Sequence, residues 1–180
     1  MAGKLLVLNK DGNTVSVIDA ETGDTTTTIE TDFNPHEVVI SPDGSKTYVT
    51  CSLGGKLNVI DNKTFDVTKR IDHEQFKFPH GVATRDSTGD LWLAATYSSH
   101  IYRIDTETDE IETAFPTHQD LSHMFAIDAD ESTGYVANIG SDSVCVVDLD
   151  RETVTATFSV GAEPEGIAVD EHTGDIYVAN

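Results

Sequence analysis

The chain has 180 residues, of which 32 are acidic and only 11 are Lys or Arg, so its formal net charge at pH 7 is -21. A chain of this length can bury a core within one domain without metal or disulfide cross-links. So acidic a surface repels phosphate backbones and anionic lipid headgroups, which argues against nucleic-acid partners and against membrane insertion. The acidity is typical of proteins from halophilic organisms, and equally of an ordinary acidic protein.

The predicted elements are short strands along the whole chain. They begin with LVLN (residues 6–9), VSVID (15–19) and TTTT (25–28), continue through three groups of four, and end with strands at 165–169 and 176–180. Apolar and β-branched runs are separated by Gly, Asp, Asn, Ser and Thr, and no run has a helical period. The pattern therefore predicts an all-β protein of seventeen strands.

A repeat of about 43 residues organises these strands. Three anchors recur: an Asp that ends one strand (Asp19, Asp61, Asp105, Asp148), a His or Glu that begins another (His36, His80, His123, Glu165), and an aromatic residue 12 positions later (Tyr48, Trp92, Tyr135, Tyr177). Four antiparallel strands per unit of this length indicate β-propeller blades. We divide the chain, a single domain of residues 1–180, into repeats near 5–32, 33–75, 76–118 and 119–161, with a partial repeat at 162–180.

The connections within each unit predict tight turns. SPDGS, DSTGD, ESTG and EHTGD join the first pair of strands, and each contains a Gly where the turn needs a positive φ. The turns between the last pair open with the anchor Asp, whose carboxylate is expected to accept backbone N–H bonds. Cys51 and Cys145 lie in strand-like runs, so we expect buried thiols rather than a disulfide.

The runs TYVTC (47–51), GYVAN (134–138) and IYVAN (176–180), each accompanied by a VSVID-type strand, resemble the YVTN family of β-propeller repeats over essentially the whole chain. The resemblance implies a propeller, commonly of seven blades, as found in surface-layer proteins and in relatives such as lactonases, nitrous oxide reductase and streptogramin lyase. It suggests a cell-surface or extracellular location, although the opening residues form neither a signal peptide nor a membrane span. The motif is specific for the fold and weak for the activity.

The strand count predicts an incomplete ring. Seventeen strands make three complete blades flanked by pieces of three and two strands, so we expect an arc of about four blades. Such an arc is part of a larger propeller or is completed by other copies, and its open blade edges favour self-association. A closed four-bladed ring with one displaced strand is the alternative.

The repeat also predicts a site. His36, His80, His123 and Glu165 begin the innermost strand of successive blades, so we expect them to face one another at one mouth of the central channel. Imidazoles and a carboxylate are suitable ligands for zinc or copper, which makes these four residues a candidate metal site. In the alternative interpretation, each His is a copied residue that only hydrogen-bonds a neighbouring blade.

Two classes of function follow. The first is a noncatalytic scaffold or binding module, associated with a surface layer, whose propeller face meets a protein or a small-molecule ligand. The second is an enzyme or metal-binding protein of the lyase, lactonase or redox type, with its site on the propeller axis. We prefer the first because the sequence indicates a fold and no catalytic constellation.

Overall fold

The computed structural model describes residues 3–180, which form seventeen β-strands in five separate antiparallel sheets. The strands are β1 (Lys4–Asn9), β2 (Thr14–Asp19), β3 (Thr25–Glu30), β4 (Pro35–Ile40), β5 (Lys46–Cys51), β6 (Lys56–Asp61), β7 (Val67–Asp72), β8 (Pro79–Arg85), β9 (Asp90–Ala95), β10 (His100–Asp105), β11 (Glu110–Pro116), β12 (Ser122–Ile127), β13 (Thr133–Asn138), β14 (Ser143–Asp148), β15 (Thr153–Ser159), β16 (Gly166–Val169) and β17 (Ile176–Ala179). Two 3-10 helices, Lys10–Gly12 and Ile139–Ser141, connect strands. Within this range, no helix reaches the length and hydropathy that crossing a membrane requires.

The sheets are blades arranged around an axis. Sheet 1 is β1-β2-β3, sheets 2, 3 and 4 each contain four strands in chain order, and sheet 5 is β16-β17. The innermost strands contact one another in succession, β4 with β8, β8 with β12, and β12 with β16. The predicted propeller and its seventeen strands are confirmed. Among residues 3–180 no hydrogen-bonded ladder joins sheet 1 to sheet 5, so the arc is open rather than a closed four-bladed ring.

The core lies between consecutive sheets, where alternate side chains of each strand meet the facing blade. Tyr48 of sheet 2 packs in one buried cluster with Leu91 and Leu93 of sheet 3, and all three are fully buried. The Tyr48 hydroxyl donates a 2.6 Å hydrogen bond to Asp109 Oδ1, so its polar end is satisfied. Trp92 occupies the equivalent position between sheets 3 and 4. Burial of each such side chain contributes roughly 1.5–3 kcal/mol.

Glycines allow three of the four predicted tight turns. Gly44, Gly89 and Gly174 have φ between 73° and 77°, as expected for the connections between the first two strands of a blade. The prediction for ESTG is wrong: Glu131 takes the positive φ of 54°, and Gly134 lies inside β13. A Cβ at Gly134 would lie 2.5 Å from the ring of Phe125, so this glycine makes room for a core aromatic residue.

The anchor aspartates fix the outer turns as predicted. Asp61 Oδ1 accepts hydrogen bonds of 2.8 Å from the backbone N–H groups of Lys63 and Thr64, and the equivalent aspartates do the same in their turns. These backbone hydrogen bonds stabilise the ionised carboxylate and lower the pKa of Asp61. Cys51 and Cys145 are buried free thiols, which confirms the expectation for them.

Candidate functional site

The predicted site residues lie where each innermost strand begins. His36, His80 and His123 are the second residues of β4, β8 and β12, and Glu165 immediately precedes β16. In all three strands the pairing with the neighbouring strand is irregular at this point, with register shifts at Pro35/Glu37, Pro79/Val82 and Ser122/Phe125. An irregularity of this kind redirects a side chain out of the regular pleat. Each histidine can therefore turn towards the channel while the rest of its strand stays in the sheet.

The chain enters each of these strands through a left-handed residue. Asn34, Phe78, Leu121 and Glu163 have φ between 53° and 65°, a region that is uncommon for residues other than Gly and Asn. Phe78 adopts this conformation, and its ring stacks on His80 with ring centroids 5.9 Å apart and planes 8° apart. The same conformation occurs in other turns of the chain, among them those at Glu131 and Glu152, so it belongs to the turn geometry of the repeat.

The three imidazoles form a row across the channel mouth. The ring of His80 lies between the other two, with centroid distances of 4.1 Å to His36 and 3.7 Å to His123. The planes of His36 and His80 are tilted by 51°, whereas those of His80 and His123 are nearly parallel at 27°. Lone pairs lie in the ring plane, so tilted rings can direct them to a common point and stacked rings cannot. His36 and His80 are therefore the pair able to share a ligand.

The glycine after His80 explains why the row is so tight. A Cβ at Gly81 would lie 2.5 Å from both the carbonyl oxygen of His123 and the backbone nitrogen of Phe125. No real Cβ approaches backbone that closely, so only glycine allows β8 and β12 to come together here. This close approach is what brings the His80 ring onto the His123 ring.

Burial leaves several ring nitrogens without partners. His80 is 3% exposed, and within residues 3–180 neither its Nδ1 nor its Nε2 has a hydrogen-bond partner. His123 is 5% exposed; its Nδ1 is 3.0 Å from Thr96 Oγ1, but its Nε2 has no partner in the described part of the chain. Buried polar groups are almost always paired, and leaving one unpaired costs about 1–3 kcal/mol. Within residues 3–180 these ring nitrogens are therefore available to a water molecule or to another ligand.

Burial also keeps the imidazoles neutral. It lowers the pKa of His80 to about 3, with the neighbouring histidines and Lys10 adding to the effect. Burial lowers the pKa of His123 to about 4, although the Glu165 carboxylate opposes part of the shift. The pKa of His36 is lowered as well, chiefly by burial. At neutral pH all three rings therefore have a lone pair available for coordination.

One residue outside the predicted set completes the ligand cluster. His36, Glu37 and His80 each place one ligand atom within 4.8 Å of the others. Glu37 is half-buried, and burial raises the pKa of its carboxyl. Glu165 lies apart from this cluster: its side chain is 76% exposed, and its Oε1 is 3.8 Å from His123 Nε2. The structure thus brings the three predicted histidines together, places Glu165 beside His123, and adds Glu37.

Five successive antiparallel sheets, with three imidazoles in contact near the start of their innermost strands, define a β-propeller protein. Residues 1–175 match the family model described as YNCE-like beta-propeller, and the chain belongs to that family. This match confirms the propeller fold that the resemblance to the YVTN family implied. No curated protein sequence matches the chain.

Similar solved structures support the fold. Hydrazine synthase of Kuenenia stuttgartiensis is 23% identical with a TM-score of 0.82, over 93% of this chain and 48% of that one. A functionally unknown protein from Desulfotomaculum acetoxidans DSM 771 is 14% identical with a TM-score of 0.83, over 98% and 59%. U3-55K is 13% identical with a TM-score of 0.80, over 92% and 51%. The chain thus spans about half the length of these proteins, and identities this low show the fold alone.

Proposed function

We propose that this protein is a noncatalytic binding module on a propeller scaffold, and that its ligand is a transition-metal ion at the channel mouth. The ligands in this proposal are His36, Glu37 and His80. The observation that carries it is the pair of ring nitrogens on His80, a residue that is 3% exposed, neither of which has a hydrogen-bond partner among residues 3–180. A metal ion would satisfy one of these nitrogens.

The donor set indicates the class of metal. Two neutral imidazoles and a carboxylate suit Zn²⁺ or Cu²⁺, and they leave room for water in the remaining positions. Ligand atoms about 2.1 Å from a tetrahedral metal are about 3.4 Å apart. The present cluster, within 4.8 Å, therefore needs small side-chain rotations to close around an ion. His36 is partly exposed, with 23% of its side chain accessible, which provides a route of entry.

His123 and Glu165 have a supporting role in this proposal. Thr96 holds the His123 ring at Nδ1, and that ring stacks on His80 and limits its rotation. Groups that orient metal ligands commonly change affinity by 10–100-fold when they are removed. Glu165 adds a negative charge 3.8 Å from His123 Nε2, which favours a cation at this mouth.

The test is calorimetric titration of the metal-free protein with Zn²⁺ and with Cu²⁺, alongside metal analysis. We expect one ion per chain, and affinity weakened by roughly 100-fold or more in His80→Ala and in Glu37→Gln. The matched control is His172→Ala, which changes an exposed histidine in the turn between β16 and β17. This variant should bind the metal like the unaltered protein. Circular dichroism verifies that each variant is folded.

Two results would overturn the proposal. One is no binding of either ion at any concentration tested. The other is equal affinity in the His80→Ala, Glu37→Gln and His172→Ala variants, which would place the metal elsewhere. With Cu²⁺, electron paramagnetic resonance should also show coupling to nitrogen that is reduced in His80→Ala.

A further inference from the structure

An apolar groove lies between sheets 2 and 3, on the face of the propeller where the innermost strands begin. It is lined by residues 52–55 in the turn between β5 and β6, by residues 76–78 before β8, and by Tyr97 in the turn between β9 and β10. Propeller blades are added side by side around the axis, whereas this groove opens at one end of the strands. It also lies in the middle of the chain, so further blades beyond either end of the described arc would not cover it.

Most of the exposed side chains around this groove are apolar. Leu53 and Tyr97, which occupy the same position in successive repeats, are 70% and 66% exposed. The half-buried ring of Phe78 stacks on the histidine row and also contacts Tyr97, with their centroids 4.8 Å apart. Phe33 is 67% exposed and lies beside the groove, because its carbonyl oxygen accepts a 3.0 Å hydrogen bond from the Gly54 N–H. Apolar side chains grouped in this way on one face mark a surface that meets a partner.

The two walls of the groove are held in place by the backbone. Gly55 has a φ of 62°, and a Cβ at this residue would lie 3.0 Å from the carbonyl oxygen of Phe76. Glycine therefore allows the turn between β5 and β6 to pack this closely on the neighbouring connection. On the opposite wall, the Tyr97 N–H donates a 2.9 Å hydrogen bond to the carbonyl oxygen of Lys77. The groove is thus formed before a partner binds, which reduces the ordering cost of binding.

One cation lies next to these apolar side chains. Lys56 nearby pairs with a carboxylate, whereas Lys77 is exposed and has no carboxylate within 4.0 Å among residues 3–180. Glu74 is the only acidic residue in the two turns and the connection that line the groove, although the chain as a whole has a formal charge of -21. A carboxylate can therefore approach here and pair with Lys77, which makes the groove complementary to an apolar group next to a negative charge.

We propose that this groove binds a peptide segment of a partner protein, in which an aromatic side chain is followed by an acidic one. The aromatic side chain lies between Leu53 and Tyr97, and the carboxylate pairs with Lys77. The groove has a volume of about 290 Å³, below the roughly 300–1,000 Å³ of pockets for drug-sized molecules, so it suits one side chain better than a whole small ligand. The peptide backbone then covers Phe33, which a small molecule in the groove would leave exposed. Neither contact requires a metal at the histidine row.

The test titrates the metal-free protein with the peptide acetyl-Gly-Gly-Phe-Asp-Gly-Gly-amide and follows the NMR signals of the isotopically labelled protein. A peptide with Lys in place of Asp is the comparison, in about 0.15 M salt, where charges farther than about 8 Å are screened. We expect the Asp peptide to bind roughly twofold to fivefold more tightly than the Lys peptide, although the net charge of the protein favours the Lys peptide. The backbone signals of Gly54, Gly55 and Tyr97 should shift.

Variants of exposed residues locate the two contacts. Tyr97→Ala and Leu53→Ala should each weaken binding of the Asp peptide by roughly fivefold or more, because each removes an apolar wall. Lys77→Glu should reverse the preference, so that the Lys peptide binds more tightly. The matched controls are Phe158→Ala, which changes a side chain 60% exposed on β15, and Lys63→Glu, in the turn between β6 and β7. Both controls should bind the peptides like the unaltered protein.

Several results would overturn the proposal. The first is no saturable binding of the Asp peptide up to about 5 mM, and the second is an unchanged peptide preference in Lys77→Glu. Equal weakening in Tyr97→Ala and Phe158→Ala would place the peptide elsewhere. Binding of free phenylacetate as tight as that of the Asp peptide would show a small-molecule site. Self-association that Tyr97→Ala abolishes, measured by light scattering, would show that a second copy of the chain occupies the groove.

Discussion

His80 is a buried ring whose pKa is lowered to about 3, chiefly by burial and then by the neighbouring histidines. Rings on both sides are also histidines, at centroid distances of 4.1 and 3.7 Å, so a proton on any one raises the cost of a proton on the next. Burial is the larger cause, because exclusion of water from the ring penalises its charged form. The row is therefore a set of uncharged donors at neutral pH and a source of instability in acid.

Acid should destabilise the metal-free protein through this row. The ordinary pKa of 6.5 applies to the unfolded chain, whereas the folded values are about 3 for His80 and about 4 for His123. Between these limits the unfolded chain binds more protons, so the free energy of unfolding falls as the pH falls. Each histidine contributes a slope of up to about 1.4 kcal/mol per pH unit, and the loss levels off below the folded pKa.

Denaturant unfolding at a series of pH values from about 7 to 4 measures this effect. His80→Leu should show a shallower decline than the unaltered protein, because the substituted side chain cannot bind a proton. His118→Leu, an exposed histidine, serves as the control and should leave the slope unchanged. An unchanged slope in His80→Leu would contradict the assignment. Carboxylates such as Asp61, whose pKa values are also lowered, affect both proteins equally.

The sequence predicted the three histidines of the candidate site but not Glu37, because a repeat marks only the residues that recur in it. His36, His80 and His123 were found because the same residue recurs at one repeat position. The position of Glu37 holds Gly81 in the next blade, so no recurrence marks it. The stacking of His80 on His123 could not be predicted either, because ring orientation depends on the strand irregularities and on how closely β8 approaches β12.

At the scale of the element, the innermost strands depend on close backbone approach. Gly81 lies in β8 opposite the backbone of His123, Met124 and Phe125 in β12. The repeat equivalent in sheet 5 is Gly166, where an added Cβ would meet only Ala179 Cβ at an ordinary 3.5 Å. A side chain at position 81 would therefore clash with backbone, whereas a Cβ at the equivalent position 166 would make only an ordinary contact.

Gly81→Ala should separate β8 from β12. We expect a loss of roughly 3 kcal/mol in the free energy of unfolding, because backbone atoms cannot move aside as a flexible side chain could. Metal affinity should fall as well, since His80 loses its stacking contact with His123. Gly166→Ala is the control and should change stability by less than about 0.5 kcal/mol. Equal stabilities of the two variants would show that β8 and β12 can accommodate a Cβ at position 81.

Most of the element boundaries followed from the sequence. Strand alternation and the anchor aspartates located the blades and their outer turns, because both signals are local. The turn between β12 and β13 did not follow, since the glycine there serves the ring of Phe125, a contact between strands that a turn motif does not reveal.

At the scale of the whole molecule, the repeat determines the propeller architecture, and the net charge determines how the stability of the fold depends on salt. Equivalent residues meet equivalent residues between successive blades, as Tyr48 and Trp92 show, so a correct repeat assignment predicted the propeller. The openness of the arc was predicted from the strand count and is confirmed in the sheet pairing.

Salt should stabilise the fold of the single chain. With 32 acidic residues against 11 Lys and Arg, repulsion between carboxylates opposes the compact state, and cations reduce it. We expect the denaturation temperature to rise by several degrees between about 0.05 and 1 M sodium chloride. A flat or falling profile would contradict the expectation.

The irregular first residues of β4, β8 and β12 make the channel mouth adjustable one blade at a time. Each strand contributes a side chain from a point that the sheet ladder does not hold in register, while the following residues keep the blade paired. In the proposed metal site, exchange of one of these residues changes a single donor and leaves the blade's hydrogen bonds in place. Single substitutions at these positions can therefore alter the proposed site without altering the pairing of the blades.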